Sequence, residues 1–553
     1  MLRRYWPAFL LAVPLWLYIA YPIGSILAES LQLPVAAYRA KKMGWDPNAQ
    51  PMGAGLRVIF SEGPLREAVW GSLKLSVLSA ILACVWGLGL ALLWYRRDFP
   101  GRRIFAASGY APMLLPPLVG TLAWFHLAGP TGWLWQWLGG TPLVGSFGQI
   151  LLLHTYAFGL LPFSFVAAAL ENYDASTEDA ARNLGASGFK TFLNTVWPAI
   201  RAPLVAGGLL AFMAAAASFS GPYILDNSGR YLTVEILNDP DPSVQRGLSV
   251  ILAAMALAAL PPFLYFNRAV PGGSGSKGAA RKNLPRESGV LLPVRMGLSA
   301  LVAVILLAPP IMVIKGALFP VVISNFADGN SLSAGFRALQ PVDWASLERS
   351  AGYAAIAACI NLVLAVLLAL ALRRANWKAA LPSEIAVMLA LALPGSVVGV
   401  ALLSVFNAGS WLSLGAPLGG TGVILILAYT VRNLPFAVRP VRAALQESGG
   451  DLENAALNLG ASRVEVFYKI TLPLMAPTLI AAFLICFVNG SGEFVASKLL
   501  YDVRTQPVSV RIDELFRTNA HAAYALALML MVLTGVAIGL ATWLQKRWSY
   551  AGR

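Results

Sequence analysis

Apolar runs of about twenty residues recur about twelve times in this chain of 553 residues. Each has the length needed to cross a hydrocarbon core of roughly 30 Å. They lie near residues 8–28, 70–95, 104–127, 149–170, 199–222, 247–266, 291–316, 350–372, 384–406, 421–445, 476–497 and 521–544. Of all residues 58% are hydrophobic and 12% charged, against roughly a quarter charged in a soluble domain, so lipid is the expected solvent. The fold expected is an all-α polytopic membrane protein with about 12 transmembrane helices. The first run is longer than a signal-peptide core, lacks a small-residue cleavage site and contains Pro14 and Pro22, so it reads as a retained helix.

The formal charge of +15 could suggest nucleic acid, but the basic residues form no single face or tail. Arg3 and Arg4, then Arg96, Arg97, Arg102 and Arg103, then Arg268, Lys277, Arg281, Lys282 and Arg286, then Arg373, Arg374 and Lys378, and finally Lys546, Arg547 and Arg553 occupy alternate connections. The opposite connections mix signs, as in residues 225–246, where Asp226, Glu235, Asp239 and Asp241 accompany Arg230 and Arg246. This positive-inside pattern places both termini on the cytoplasmic side. Cys84, Cys359 and Cys486 all fall in apolar runs, where a thiol is a small hydrophobe, so neither a disulfide framework nor a zinc site is expected.

The stretch Val270–Ser288 is rich in Gly, Ser, Lys and Arg and lacks apolar periodicity, which marks a linker. It divides the chain into 1–269, a linker over 270–290, and 291–553. The halves are related by a repeat. Glu178-Asp-Ala-Ala-Arg-Asn-Leu-Gly-Ala-Ser187 returns as Glu453-Asn-Ala-Ala-Leu-Asn-Leu-Gly-Ala-Ser462, an offset of 275. The same offset pairs Leu170 with Leu445, Phe192 with Phe467, Pro198 with Pro473 and Ala83-Cys84 with Ala358-Cys359. Each copy follows the fourth run of its half and precedes the fifth, so the halves share one topology and are expected to be parallel and pseudo-symmetric. That argues against inverted-repeat carriers.

Each copy reads as two short helices and a turn. In the first, Asp174, Glu178 and Asp179 suit a helix N-terminus and Gly185 suits a left-handed C-terminal residue. A second helix is expected from about Gly188 to Val196, stopping before Pro198. In the other copy Asp451 and Glu453 open the first helix, Gly460 ends it, and the second runs from about Ser462 to Ile470. Ala180-Ala181 and Ala455-Ala456 leave a patch that another protein can approach closely.

The pattern Glu-x-Ala-Ala-x-x-x-Gly followed by an aliphatic residue and Pro resembles the cytoplasmic loop of binding-protein-dependent ABC importer permeases. Both copies match at Glu, both alanines, Gly and the final Pro. Trp197 stands where the family favours Leu, as at Leu472. The resemblance implies a fused, double-length permease of the type I importer fold in a bacterial inner membrane. It also implies a coupling role for Glu178, Ala180, Ala181, Gly185, Glu453, Ala455, Ala456 and Gly460. The implied partners are two copies of an ABC ATPase subunit, which uses ATP and Mg, and a periplasmic solute-binding protein.

Nothing in the sequence points to an enzyme. Gly272-Gly-Ser-Gly-Ser-Lys277 lacks the Gly-Lys-Ser/Thr ending and the preceding strand of a phosphate-binding loop. His126, His154 and His521 are far apart in sequence and read as packing or interfacial residues, so no metal site or bound cofactor is expected. Glu493 is a carboxylate within a span and hence a functional candidate. It lies in Ser491-Gly-Glu-Phe494, and the offset pairs Glu493-Phe494 with Ser218-Phe219. These five residues, Ser218, Phe219, Ser491, Glu493 and Phe494, are candidates for the substrate pathway. The alternative for Glu493 is an interfacial position or a pair with Lys498. Asn361 and Asn433 read as interhelical hydrogen bonders.

The stretch Gly492–Phe516, with Gly-Glu-Phe-Val-Ala-Ser-Lys-Leu-Leu-Tyr and then Pro507-Val-Ser-Val-Arg-Ile512, resembles the fused permeases of ferric-iron importers. Its first-half counterpart, Phe219-Ser-Gly-Pro-Tyr-Ile-Leu225 and then Leu232-Thr-Val-Glu-Ile236, has the same plan. Ferric iron is the solute this resemblance implies, with thiamine, aminoethylphosphonate and polyamine permeases as alternatives. An ion-coupled secondary transporter remains the alternative class. It would need more ionisable residues along the pathway than Glu493.

Overall fold

The computed structural model describes residues 16–140, 142–174, 176–226, 231–267, 286–319, 334–373, 377–406, 413, 416–447 and 450–551. Most of the expected linker, the stretch Gly272–Lys277 and the start of the first apolar run lie outside these residues. In lipid every backbone N–H and C=O must find a partner within the protein, which leaves helices or closed barrels. Among the described residues the chain takes the first solution.

The first half contains Tyr21–Gln32 (α1), Gly63–Tyr95 (α2), Pro117–Ala128 (α3), Ser146–Phe158 (α4), Leu160–Glu171 (α5), Ser176–Asn183 (α6), Gly188–Thr191 (α7), Trp197–Ala216 (α8), Ser220–Leu225 (α9), Pro242–Ala258 (α10) and Leu260–Asn267 (α11). The second contains Leu291–Leu318 (α12), Pro341–Arg373 (α13), Trp377–Ala392 (α14), Gly395–Val405 (α15), Gly422–Glu447 (α16), Gly450–Asn458 (α17), Arg463–Val466 (α18), Leu472–Ser491 (α19), Val495–Leu500 (α20), Val508–Thr518 (α21) and Ala520–Ala551 (α22). Nine helices among the described residues are long and apolar enough to cross a membrane, and a bent pair makes up to ten. The spans α4–α5, α7–α8, α10–α11 and α18–α19 each join two of these helices.

The third expected span is where both halves depart from a plain helix. Residues 383–405 form two helices bent by 118° at Leu393-Pro394, because Pro394 has extended backbone angles (φ −60°, ψ 148°) and no N–H to continue the ladder. In the first half the expected run 104–127 breaks twice, at Gly109 and at Leu115-Pro116, leaving α3 only 12 residues long. Hydropathy sees the apolar length of these stretches but not the breaks.

The chain folds into two compact units. One contains residues 60–238 and 251–315, and its core is α2, α5 and α8 packed on one another. The other contains residues 1–59, 239–250 and 316–553, with the repeat-related core α13, α16 and α19. Small residues bring the helices together. A Cβ on Gly87 would lie 2.6 Å from both Gly159 O and Phe163 N, and one on Gly490 would lie 3.2 Å from Ala354 Cβ.

Each unit also takes the first helix of the other sequence half. Residues 291–315 of α12 pack in the first unit, where Trp94 Nε1 donates to Ser299 Oγ (3.1 Å), Arg295 Nη1 to Leu93 O (2.8 Å) and Tyr156 OH to Leu306 O (3.2 Å). In the other unit α1 packs on α15, and Tyr18 stacks on Phe406 at 6.0 Å.

Close helix contact at Gly87 predicts a paired outcome. Gly87→Ala forces an overpacked contact and lowers stability by about 1–3 kcal/mol. Gly89→Ala, whose Cβ meets nothing within 4 Å, leaves it unchanged. Thermal unfolding of the two variants in one detergent checks this, and equal midpoints would show that the α2–α5 contact is looser than described.

Candidate functional site

The two repeat loops have the same local structure, for the same reasons. In the first unit Asp174 Oδ1 accepts from Ser176 N (2.9 Å), opening α6, and Glu178 and Asp179 occupy its first turn. Helix α6 ends at a turn in which Gly185 has φ +83°, and Ser187 caps α7 by accepting from Lys190 N. In the second unit Gly460 has φ +90°, and Ser462 forms a capping box with Glu465 at the start of α18. Neither glycine is needed for space, since a Cβ would meet nothing within 4 Å. The left-handed backbone angle is what selects glycine.

The second short helix does not stop before the proline as expected. It runs through one π-turn, Phe192–Val196 or Phe467–Thr471, into the long helix α8 or α19. The N–H of Trp197 reaches back five residues to Phe192 O, and that of Leu472 to Phe467 O. Widening the helix by one residue lets it continue past Pro198 and Pro473, which have no N–H to give to the preceding turn.

Burial is matched between the copies. Ala180 and Ala455 are exposed, while Ala181 and Ala456 are half-buried. The most prominent residues are ones the sequence reading did not single out. Leu184 and Leu459, at the tip of each turn, are 88% and 89% exposed, and Phe189 and Val464 are 72% and 65% exposed. The place of the two leucines beside the turn glycine, three residues after the second alanine, is the sequence sign that could have found them.

Glu178 and Glu453 face inward. Arg96 Nη2 donates to Glu178 Oε2 (3.1 Å) and so does Arg182 Nη2 (3.2 Å). Arg373 Nη1 donates to both oxygens of Glu453 (2.9 and 2.7 Å), and Thr471 Oγ1 donates to Oε1 (2.9 Å).

The pathway candidates differ between the units, and all but Ser491 lie just past the spans that end at Ala216 and Ser491. Glu493 pairs with Arg432, not with Lys498: Arg432 Nη1 lies 2.7 Å from Glu493 Oε1, which also accepts from Ala496 N at the start of α20 (3.0 Å). Lys498 instead binds the buried Asp513 at 2.9 Å. Arg432 sits near the middle of α16, so the run 421–445 is not free of charge. It holds Arg432, Arg439 and Arg442, and a guanidinium this deep in an apolar helix was the sign that Glu493 has a partner.

At the repeat-related place in the first unit, Ser218 Oγ is 2.9 Å from His154 Nε2, and His154 Nδ1 is 2.9 Å from Ser79 Oγ. Phe219 and Phe494 are 2% exposed, and Ser491, which donates to Val488 O (3.0 Å), is also buried. Asn433 Nδ2 bonds Tyr429 O of its own helix (2.9 Å). Asn361, expected to bridge helices, is buried with no hydrogen bond from its amide among the described residues. Among the described residues no three His, Cys, Asp or Glu side chains converge.

Two outcomes follow from this geometry. Arg432→Met strands a buried carboxylate and destabilises by about 3–5 kcal/mol, whereas Arg432→Met with Glu493→Met recovers most of the loss. Chemical-denaturation midpoints check this, and a double variant no better than the single would show that the pair is not the interaction at stake. At the turns, Gly460→Asn is tolerated because asparagine visits the left-handed region, while Gly460→Val speeds amide hydrogen exchange at Leu459 and Ala461.

The sequence matches the family described as binding-protein-dependent transport system inner membrane component twice, over residues 83–270 and 361–550. The ferric transport system permease FbpB of Actinobacillus pleuropneumoniae is 26% identical over 82% of this chain and 67% of its own length. The thiamine transport system permease ThiP of Salmonella typhimurium is 26% identical over 94% of this chain and 96% of its own. The molybdenum transport system permease ModB of Mycobacterium tuberculosis is 29% identical over 36% of this chain and 78% of its own length. With more than half its length in two family matches, and with both matches containing a repeat loop, this chain belongs to the family of inner-membrane permeases of binding-protein-dependent ABC transport systems, as a fused, double-length, multi-pass member.

Proposed function

We propose that the chain imports ferric iron, and that each repeat loop seats in one of two copies of a partner ATPase subunit. The observation that carries the coupling assignment is the duplicated loop itself. One helix–turn–helix geometry appears in both compact units, with a nearly fully exposed leucine at each tip. An exposed apolar knob beside small residues is suited to a groove on another protein. Glu178, Ala180, Ala181, Gly185, Glu453, Ala455, Ala456 and Gly460 build that element. ATP and Mg are used by the ATPase subunit, and this chain is not itself an enzyme.

The loops and both termini face the cytoplasm in this reading, which the distribution of arginine and lysine supports. A periplasmic binding protein delivers the solute to the opposite face. Ser218, Phe219, Ser491, Glu493 and Phe494 form the gating segment of the pathway. The burial of Phe219, Ser491 and Phe494 suits a segment that closes a path. Ferric iron is favoured by the ferric permeases among the relatives. Thiamine is the second reading, because the thiamine permease aligns over 94% of this chain.

The test is ATPase activity of the chain reconstituted with its ATPase subunit and binding protein, offered ferric iron and thiamine in turn. Stimulation by iron alone is expected; stimulation by thiamine alone would replace the solute and keep the coupling assignment. Leu184→Glu with Leu459→Glu is expected to weaken association with the ATPase subunit at least tenfold, by about 1.4 kcal/mol or more. Unchanged association would remove the loops from the interface.

A further inference from the structure

We infer that Arg96 and Arg373 are positioning residues that, through Glu178 and Glu453, lock each repeat loop to the long helix of its own unit. The inference rests on the coupling reading above and adds how movement of the loop reaches the membrane helices.

In each unit three parts meet at the glutamate. The first is the C-terminal end of the long helix: Arg96 is the residue after α2, and Arg373 is the last residue of α13. The second is the loop helix carrying the glutamate, α6 or α17. The third is the π-turn leading to α8 or α19. Arg96 lies over the ring of Phe192, the first residue of one π-turn, with its Cζ 5.2 Å from the centroid. Thr471, the last residue of the other π-turn, donates to Glu453. The carboxylates are only 13% and 15% exposed, so each side chain is turned toward its own unit.

The two arginines are not at repeat-equivalent positions. The offset of 275 would carry Arg96 to residue 371, which is Ala371, two residues short of Arg373. The same chemistry is therefore reached from slightly different places on the two long helices, a recurrence that alignment of the loop alone does not supply.

The mechanical consequence follows from what each contact constrains. A π-turn interrupts the regular hydrogen-bond ladder of a helix, and a loop attached only there could swing without moving the core. The guanidinium gives the loop a second attachment, to α2 or α13, both members of the three-helix cores. Charge-assisted and, at Glu453, doubled hydrogen bonds hold that attachment in a fixed orientation. A force on the exposed leucine is then passed to two helices of the core instead of being absorbed at the π-turn.

The experiment uses the full chain in complex with its ATPase subunit and binding protein in vesicles. It measures solute moved per ATP hydrolysed and, separately, affinity for the ATPase subunit. Arg96→Gln with Arg373→Gln is expected to lower the transport-to-hydrolysis ratio by at least about fivefold, the lower end of ordinary coupling between sites, with affinity changed by less than about twofold. The swapped pair Arg373→Glu with Glu453→Arg, in a chain otherwise intact, is expected to recover more of the ratio than either single change.

Loss of affinity with an unchanged ratio would overturn the inference, because the arginines would then shape the docking surface without carrying movement to the core. Failure of the swapped pair to exceed both singles would overturn it as well. If Leu184→Glu with Leu459→Glu leaves association intact, it is the docking reading that fails. Amide exchange in residues 176–183 and 453–458 gives a readout independent of transport: faster exchange in the glutamine variants supports the lock, and unchanged exchange contradicts it.

Discussion

Hydrocarbon gives a backbone N–H or C=O no partner, and almost every feature of the two units follows from that constraint. It fixes the helical architecture and requires each break in a helix to be answered nearby. Where the helix Gly395–Val405 ends, Leu418 N donates to Phe406 O, and Gly420 N donates to Leu500 O at the end of α20, both at 3.1 Å. The short helices that follow α9 and α20 begin with amides that have no partner in their own turn. In each unit a serine of the long helix supplies one: Leu232 N donates to Ser72 Oγ at 2.8 Å and Val508 N to Ser350 Oγ at 2.7 Å. Both serines are buried, so removing either hydroxyl would leave an amide in a place water does not reach.

Charge obeys the same constraint. Asp343 and Asp513 are buried almost completely, and each is held by a cation, Arg511 Nε at 2.6 Å and Lys498 Nζ at 2.9 Å. Arg39 is held by Asp239 through two parallel hydrogen bonds of 2.8 Å, the fork geometry that suits a guanidinium and a carboxylate. Buried pairs of this kind add little net stability against an apolar equivalent, yet breaking one is costly. Their effect is to fix the connections between spans in one arrangement, so that α20 and α21 are tied together by Lys498–Asp513 and α13 and α21 by Arg511–Asp343.

Span length, the duplication and the loop glycines were legible in the sequence because each rests on a local rule: apolar length, an exact offset, a turn that needs positive φ. The breaks at Pro116 and Pro394 were less legible, since proline is tolerated in membrane helices and its presence does not say whether a helix kinks or ends. The π-turns before Pro198 and Pro473 were hidden for a related reason. Proline there suggested a stop, whereas one extra residue in the turn let the helix continue. Partners of the glutamates were not legible at all. Arg96 and Arg373 look like ordinary charges flanking a span, and only the fold shows that they are aimed at residues 80 or more positions away.

The duplication has kept one region alike and let another diverge, and the two behaviours have separate physical causes. The loops agree in turn angle, cap, tip exposure and inward glutamate, and under the coupling proposed above such agreement is what two like docking partners would need. Away from the loops the repeat-related places carry Ser79, His154 and Ser218 in one unit and Ala354, Tyr429 and Glu493 in the other, with Arg432 in the second where the first has Ala157. One unit therefore holds a hydroxyl–imidazole chain and the other an ion pair. The two segments present different chemistry within their own units, although the repeat makes their positions equivalent. The likeness of the halves is thus concentrated in the exposed loops, where turn angle and cap are set by local backbone rules, and their difference lies in buried side chains, where each polar group has only to satisfy its own partners.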